Sequence, residues 1–298
     1  MYEALHTLSD SLAAVVEASG PAVVRVEARR HTPASGIVWS ADGLIVTANH
    51  AVRRDDNITV GLADGQTTAA RLIGRDATTD LAVLQIAGAT TRPLPPASEA
   101  QMGVGHLVLA LGRPGRTVQA TFGIVSALGE SWRTPMGGQV DRYLQTDVIM
   151  YPGFSGGPLV GAGGTLLGLN TSGLSQGVSL AIPAATVSRV VEALRAHGRI
   201  RRGYLGVSTQ RVRLPEDAAA ATGQATGLLV ISVENGSPAA EGGLTLGDTL
   251  LSIGGRSIQS HEDLLAALSG EGVGQKEVVR VLRGGQVQEL TVKIGERP

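Results

Sequence analysis

Short apolar runs separated by polar turns dominate the chain from Ala22 to about Ala181. Runs such as Leu81-Ala82-Val83-Leu84 alternate with turns rich in Gly, Pro, Asp and Asn, and no long helical spacing interrupts them. Many short strands at regular spacing are typical of a β-barrel or a β-sandwich. The pattern therefore predicts a mainly β fold for this part of the chain.

Helical spacing of apolar positions predicts one helix before this β region and one after it. The first helix is expected within residues 3–18, where the apolar stripe consists of Leu5, Leu8, Leu12, Val15 and Val16. The second follows Pro183, which suits a first helical turn, and should end near Gly198. Its stripe consists of Val187, Val190, Val191 and Leu194.

A basic, polar segment at residues 199–203 is the best candidate for a domain boundary. The residues beyond it read as strands, a helix and further strands. We therefore expect two domains, residues 1–200 and residues 204–298. Each is long enough to bury a core of its own.

Composition narrows the classes of function. The formal net charge is −1, so the chain lacks the excess of positive charge that binding to nucleic acid or to an anionic membrane would require. The absence of cysteine excludes disulfides, thiol catalysis and cysteine-based metal sites. No apolar run approaches the ~20 residues that span a bilayer, and the first residues lack the basic and apolar regions of a signal peptide.

The segment Gly153-Phe154-Ser155-Gly156-Gly157-Pro158-Leu159 carries the clearest chemical signal. A serine between glycines can sit on a tight turn with its hydroxyl exposed. Such a turn can also direct backbone N–H groups at one point, as an oxyanion hole requires. Because Pro158 and an apolar strand follow, the turn does not fit a nucleophile elbow, which needs a long helix there.

A candidate base and a candidate acid lie upstream of Ser155. His50 follows the strand-like run Gly43-Leu44-Ile45-Val46, whereas His6, His31, His106, His197 and His261 have no such setting. Asp80 directly precedes a buried strand, where a carboxylate needs a compensating partner such as a histidine N–H. Its rivals Asp55, Asp56 and Asp76 are expected in solvated turns. The order His50, Asp80, Ser155 is the chymotrypsin order of a serine triad.

These motifs resemble those of HtrA/Deg serine proteases. Residues 35–38 and 42–52 resemble the histidine block of the family, residues 79–86 its aspartate block, and residues 145–160 its serine block. The resemblance implies two six-stranded chymotrypsin-like barrels with the active site in the cleft between them. His50 and Asp80 would come from the first barrel and Ser155 from the second. Triad chemistry needs no metal or cofactor, and none is expected.

The resemblance also assigns further parts of the site. The oxyanion hole would use the N–H groups of Gly153 and Ser155, and Met150, Gly173 and Leu174 would border the specificity pocket. No acid is evident there, so we expect cleavage after small or medium aliphatic residues. Phe154 stands where the family usually has a small polar residue. It either supports the loop from beneath or favours a collapsed, inactive loop.

The C-terminal region resembles a PDZ domain. Tyr204-Leu205-Gly206-Val207 resembles the carboxylate-binding loop, Gly236–Ala240 and Gly243–Asp248 resemble characteristic turns, and His261–Leu268 would flank the peptide groove. In such a module a peptide adds as a strand to a sheet edge while loop N–H groups capture its C-terminal carboxylate. The alternative is a small β-rich domain that only packs against the protease.

The whole chain is thus interpreted as an ATP-independent serine endopeptidase of unfolded or damaged proteins, with a PDZ module for peptide C-termini. The alternative is a protease-like chaperone or peptide-sensing protein with weak or no hydrolysis. Family members are typically trimers held by aromatic contacts near the N-terminus. Tyr2 is the only aromatic residue before Trp39 here. The expected location is extracytoplasmic if a signal or anchor was removed, and a cytoplasmic relative is the other possibility.

Overall fold

The computed structural model describes residues 2–30, 32–88, 92–97, 102–175, 177–201, 203–268 and 272–296. His31, Arg202 and the side chain of Tyr2, which figure in the sequence interpretation, lie outside the described part. The chain divides into two compact units, Met1–Ile200 and Arg201–Pro298. No helix in the described part of the chain is both long and apolar enough to cross a membrane.

The first unit opens with a helix and a closed six-stranded barrel. Helix α1 spans Tyr2–Ser19, and a short 3-10 turn at Gly20–Ala22 follows it. The strands of the barrel are β1 (Val23–Glu27), β2 (Ala34–Val38), β3 (Leu44–Ala48), β4 (Ile58–Gly61), β5 (Thr67–Asp76) and β6 (Leu81–Ile86). They pair in the order β1-β2-β3-β6-β5-β4, all antiparallel, and β4 closes the barrel against β1. Strands β2 and β3 are buried along their whole length, and neither contains a charged residue.

A second closed barrel follows in the same unit. Its strands are β7 (Leu107–Gly112), β8 (Gln119–Gly129), β11 (Tyr143–Thr146), β12 (Pro158–Gly161), β13 (Leu166–Thr171) and β14 (Ser179–Pro183). They pair in the order β11-β14-β13-β12-β7-β8. A small ribbon of β9 (Trp132–Arg133) and β10 (Gln139–Val140) lies between β8 and β11 in the chain. The turn that carries Ser155 connects β11 to β12.

Two helices pack on the barrels. Helix α2 (Ala184–His197) ends at Gly198, whose φ of +70° gives the left-handed C-cap that favours glycine. Its apolar stripe joins a buried cluster formed by both barrels, through Val187, Val190, Val191 and Leu194. In α1, Leu12, Val15 and Val16 pack on a buried cluster of both barrels, whereas Leu5 and Leu8 remain exposed. Both helices confirm the sequence prediction, but only the later part of the α1 stripe is covered.

The second unit consists of a six-stranded antiparallel sheet, a two-stranded ribbon and short helices. Its strands are β15 (Gly203–Tyr204), β16 (Val207–Arg213), β17 (Thr226–Val233), β18 (Thr249–Ile253), β19 (Arg256–Ser257), β20 (Lys276–Arg283), β21 (Gln286–Lys293) and β22 (Gly295–Glu296). Its helices are α3 (Glu216–Thr222), α4 (Pro238–Glu241) and α5 (His261–Ala267). The main sheet runs β16-β17-β18-β20-β21, with β19 paired to β18 and β15 paired to β22. Strand β16 is therefore an edge strand.

Local sequence explains the ends of these short helices. Ser260 caps α5 by accepting from the Asp263 N–H, and the Asp263 carboxylate accepts from the Ser260 N–H, which completes a capping box. Ser237 caps α4 in the same way through the Ala240 N–H. The mainly β architecture of two barrels followed by a PDZ-like sheet confirms the predicted fold class.

Candidate active site

His50 and Asp80 meet at the ends of two neighbouring strands of the first barrel. Strands β3 and β6 pair directly, so the turn after β3 lies beside the residue before β6. His50 Nδ1 is 2.7 Å from Asp80 Oδ2, and the His50 backbone N–H donates to Asp80 Oδ1 at 2.8 Å. Because an ionised carboxylate only accepts, Nδ1 carries the proton and Nε2 is left as the acceptor.

Asp80 is buried and held in an unusual backbone conformation. Its φ of +58° lies in the left-handed region, which aspartate tolerates better than most residues. Thr171, at the end of β13, donates its hydroxyl to Asp80 Oδ2 from the second barrel. The Thr171 hydroxyl in turn accepts from the Gly173 N–H at 2.9 Å. The carboxylate is therefore satisfied from three directions, as its burial requires.

The rivals of Asp80 are placed elsewhere. Asp55 is exposed and pairs with Arg75. Asp76 is buried, so the expectation of a solvated turn was wrong for this residue. Its oxygens accept from the Thr78 N–H and from the hydroxyls of Thr78 and Thr79, which fixes the tight turn before Asp80. Short-range side-chain bonds of this kind let a polar turn become buried.

Ser155 lies on a turn built from residues with positive φ. Gly153 and Gly156 have φ values of +90° and +89°, a region that favours glycine. A Cβ on Gly156 would lie 2.1 Å from the Ser35 carbonyl oxygen. The first barrel and the serine turn thus approach too closely for any side chain at this position.

Both polar groups of the peptide bond between Gly153 and Phe154 are engaged. The Gly153 carbonyl accepts from the buried Ser35 hydroxyl at 2.7 Å, and the Phe154 N–H donates to the Tyr151 carbonyl at 3.0 Å. By contrast, the N–H groups of Gly153 and Ser155 have no acceptor among the described residues. The turn therefore leaves two backbone donors available on either side of Phe154.

Phe154 is fully buried beneath the serine turn. Its ring belongs to the core of the second barrel and makes an edge-on contact with Tyr151, at 5.8 Å between ring centroids. A Cβ on Gly112 would lie 2.7 Å from the Phe154 ring, so the strand beneath it also needs a glycine. The ring thus lies beneath the turn, and its effect on the activity of the turn stays a prediction.

A cavity of about 1040 Å³ contains His50, Ser155, Gly153 and Met150 in its wall. The structure thus brings one residue of the first barrel and the serine turn of the second to a common space. Gly173 lies instead against the buried pair, since its Cβ would meet Asp80 Oδ2 at 2.6 Å and His50 Nδ1 at 2.8 Å. Leu174 packs on the buried cluster that both barrels form with α2.

Sequence reasoning missed several residues that hold this site. Ser172 lines the cavity, and its hydroxyl is 3.1 Å from that of Ser155. Ser35 links the barrels, because it donates to Gly153 and accepts from the Arg113 N–H at 2.8 Å. The Arg113 guanidinium is buried, which lowers its pKa, and it donates to the carbonyls of Val23 and Gly20. These contacts join residues that are distant in sequence, so no local sequence pattern predicts them.

The predicted carboxylate loop of the second unit lies between β15 and β16. Leu205 is buried in the core of the sheet, and Gly206 has a φ of +77°. The carbonyls of Leu205 and Gly206 accept from the N–H groups of Ala239 and Glu234. The N–H groups of Leu205 and Gly206 find no acceptor within the described part of the chain. They are free to donate to an anion at the end of the β16 edge.

The chain is similar to known proteins over both units. Residues 34–169 match the family model of the trypsin-like peptidase domain, and residues 203–294 match that of the PDZ domain. A probable periplasmic serine endoprotease, DegP-like, of Pseudomonas savastanoi pv. phaseolicola is 40% identical over 272 residues, which is 89% of this chain. A relative of the same description from Brucella suis is 38% identical over 276 residues.

The alignments cover 56% and 52% of these two proteins, so the chain spans about half the length of the curated relatives it matches. Solved structures match more fully. The HtrA-type protease AlgW with a decapeptide has a TM-score of 0.78 and 31% identity, covering 96% of this chain and 98% of that one. A serine endoprotease from Yersinia pestis has a TM-score of 0.77 and 32% identity, covering 95% and 97%. With this likeness over both units, the chain belongs to the HtrA family of serine proteases.

Proposed function

We propose that the chain is a serine endopeptidase in which Ser155 attacks the scissile carbonyl. The observation that carries the proposal is the contact between His50 Nδ1 and Asp80 Oδ2 at the wall of the cavity that also holds Ser155. With Nδ1 protonated, His50 Nε2 takes the Ser155 hydroxyl proton as the Oγ–carbon bond forms. Asp80 stabilises the imidazolium, which then gives the proton to the leaving amine as the peptide bond breaks.

The N–H groups of Gly153 and Ser155 would stabilise the oxyanion of the tetrahedral intermediate. Support comes from the lack of a described acceptor for either group and from the Ser35 hydroxyl, which holds the Gly153 carbonyl. A donor that is fixed before the reaction begins pays no reorganisation when the charge develops. Hydrolysis of the acyl-enzyme repeats the cycle, with water in place of the serine hydroxyl.

The substrates are proposed to be unfolded or damaged proteins, cleaved after small or medium aliphatic residues without ATP. Met150 lies on the cavity wall, and no acidic side chain is among the described residues that line it. We assign Gly173 and Leu174 to the border of the specificity pocket by resemblance to the family. A peptide library with strong preference for Arg before the scissile bond would contradict this assignment.

The protease function is assigned to residues 1–200 and peptide binding to residues 204–298. The carboxylate of a peptide C-terminus would accept from the loop Tyr204-Leu205-Gly206-Val207, while the peptide backbone pairs with β16. The unengaged N–H groups of Leu205 and Gly206 and the edge position of β16 support this role. Peptide-bound structures exist for the similar AlgW protease.

Location and assembly are also proposed by analogy. The DegP-like relatives are named periplasmic, which supports an extracytoplasmic location. We propose a homotrimer, supported by the exposure of Leu5 and Leu8 on the apolar stripe of α1. Light scattering of the full chain and of Leu5→Glu/Leu8→Glu tests this assembly. A monomeric wild-type chain would contradict it.

Covalent labelling tests the catalytic assignment most directly. A fluorophosphonate should label the wild-type chain and not Ser155→Ala, which should also lose about 10⁶-fold in turnover of an unfolded protein. Ser172→Ala is the matched control, because it removes the other hydroxyl of the cavity and should still be labelled. A wild-type chain that is neither labelled nor active on unfolded protein would instead favour a chaperone or peptide-sensing role.

A further inference from the structure

Four arginines line the cavity that contains His50 and Ser155. They are Arg29, Arg30, Arg53 and Arg54. The chain as a whole carries 25 basic and 26 acidic residues, so this is a local excess of positive charge. No Asp or Glu is among the described residues of the cavity wall. The space beside the reacting groups is therefore strongly electropositive.

No carboxylate neutralises these arginines within the described part of the chain. Arg29 Nε donates to the Thr32 carbonyl at 2.7 Å, and Arg54 Nη2 donates to the Glu27 carbonyl at 3.0 Å. Arg54 Nε is buried and has no described acceptor. Burial lowers the pKa of Arg29, and the positive charge of Arg53 lowers it further. The guanidinium groups of Arg29 and Arg53 thus lie close enough to repel each other.

Two other arginines of the same barrel are paired with acids. Arg25 forms an ion pair with Glu27 at 2.6 Å, and Arg75 pairs with Asp55. Asp56 accepts from the side chain of Asn57. The acids nearest in sequence to the four arginines are therefore directed elsewhere. A group of like positive charges without counterions favours the binding of an anionic ligand.

The four arginines lie near His50, which points to the leaving-group side of the scissile bond. Arg53 and Arg54 directly follow the turn that carries His50, and the Arg53 N–H donates to the Ala28 carbonyl at 2.9 Å, next to Arg29. His50 delivers its proton to the leaving amine, so groups around His50 face the leaving-group side. Met150, which we assign to the border of the specificity pocket, lies on the acyl side.

We propose that Arg29, Arg30, Arg53 and Arg54 form a subsite for a carboxylate on the leaving-group side of the substrate. This inference rests on the proposed endopeptidase function and adds a substrate class to it. The carboxylate is that of an Asp or Glu side chain after the scissile bond, or the free C-terminus of a short peptide. Arginine forks bind carboxylates through paired, charge-assisted hydrogen bonds.

The test uses amidated, quenched peptides that share one acyl-side sequence and differ only by Glu or Gln after the scissile bond. The wild-type chain should have a kcat/KM about tenfold higher for the Glu peptide, as a charge-assisted hydrogen bond implies. The ratio should shrink between about 0.05 M and about 0.5 M NaCl. A third peptide with Gln and a free C-terminal acid shows whether a terminal carboxylate serves as well, because a gain through the subsite is lost in Arg29→Gln/Arg53→Gln whereas a gain through the PDZ domain is not.

Three variants locate the preference. Arg29→Gln/Arg53→Gln should bring the Glu-to-Gln ratio close to one, whereas Arg53→Lys should keep most of it. Arg195→Gln is the matched control, because Arg195 is exposed on α2 and pairs with Asp42 away from this cavity. Equal rates for the two peptides in the wild-type chain, or a ratio that survives in the double variant, would overturn the proposal.

Binding separates failure of the subsite from failure of the endopeptidase function. In Ser155→Ala, fluorescence anisotropy should show tighter binding of the Glu peptide than of the Gln peptide. Amidation keeps the peptides from presenting a terminal carboxylate to the PDZ domain. An electrostatic preference in binding without hydrolysis by the wild-type chain would overturn the proposed function alone. Hydrolysis without any preference would overturn the subsite alone.

Discussion

The first barrel presents His50 and Asp80 through side-chain hydrogen bonds, whereas the second presents Ser155 through the backbone of a glycine-rich turn. Asp80 accepts hydrogen bonds from His50 and Thr171. The Ser155 turn depends on positive φ at Gly153 and Gly156. We call His50 and Asp80 the chemical half of the site and the Ser155 turn its backbone half. A change in polarity should impair the chemical half, whereas added bulk should impair the backbone half by displacing the main chain.

Among the residues that position Ser155, the largest expected effect is that of Asp80, which tests the chemical half. Asp80→Asn should lower kcat/KM about 10⁴-fold, because an amide no longer fixes the proton on His50 Nδ1. Folding should be retained, since the substitution preserves the shape of the side chain. Asp55→Asn is the control, an exposed carboxylate that pairs with Arg75, and should change kcat/KM less than about twofold. Similar losses of kcat/KM in both variants would contradict the role of Asp80 in orienting His50.

The next effect tests the backbone half. Gly156→Ala should lower turnover by about 10²–10³-fold, the range expected when an oxyanion donor is misplaced. The added Cβ would lie 2.1 Å from the Ser35 carbonyl oxygen and 2.4 Å from the Thr47 hydroxyl. Peptidase kinetics of the folded protein provide the measurement.

Gly65→Ala separates steric displacement from backbone strain. Gly65 has nearly the same φ, +88°, but nothing lies within 4 Å of the position of its Cβ. Only the cost of a left-handed alanine remains there, about 1 kcal/mol of stability. If Gly65→Ala and Gly156→Ala had equal effects on turnover, close approach to Ser35 would not be the cause.

A third prediction concerns the packing beneath the serine turn. Phe154→Asn should lower the free energy of unfolding by about 3–5 kcal/mol, because it leaves a cavity and a buried amide. Turnover should fall as the turn loosens. Phe122, the other phenylalanine of the chain, is 51% exposed, and Phe122→Asn should cost less than about 1 kcal/mol. A clear rise in peptidase activity of Phe154→Asn would show that Phe154 holds the turn in a less active form.

The parts of the molecule that could be predicted from the sequence are those with local signals. Apolar runs predicted a β-barrel or a β-sandwich, and the family resemblance narrowed this to two barrels. Helical stripes predicted α1 and α2, and the strand ends led to His50 and Asp80. The burial of Asp76 was missed, because a turn rich in Asp and Thr looks solvated until its side chains are seen to satisfy one another. Ser35 and Arg113 were missed because their partners lie far away in sequence, and chain closure alone brings them together.

The smallest expected effect lies where the two halves meet. The Ser172 hydroxyl is 3.1 Å from that of Ser155, yet its residue belongs to the segment that begins at Thr171, the partner of Asp80. A hydrogen bond between neutral hydroxyls contributes only about 0.5–1.5 kcal/mol, so Ser172→Ala should change kcat/KM by less than about tenfold. Thr171→Val removes a donor to a buried carboxylate and should cost more, because the charge then loses a partner. The measurement is kcat/KM of both variants under the same conditions. A larger loss in Ser172→Ala than in Thr171→Val would mean that this segment matters more for Ser155 than for Asp80.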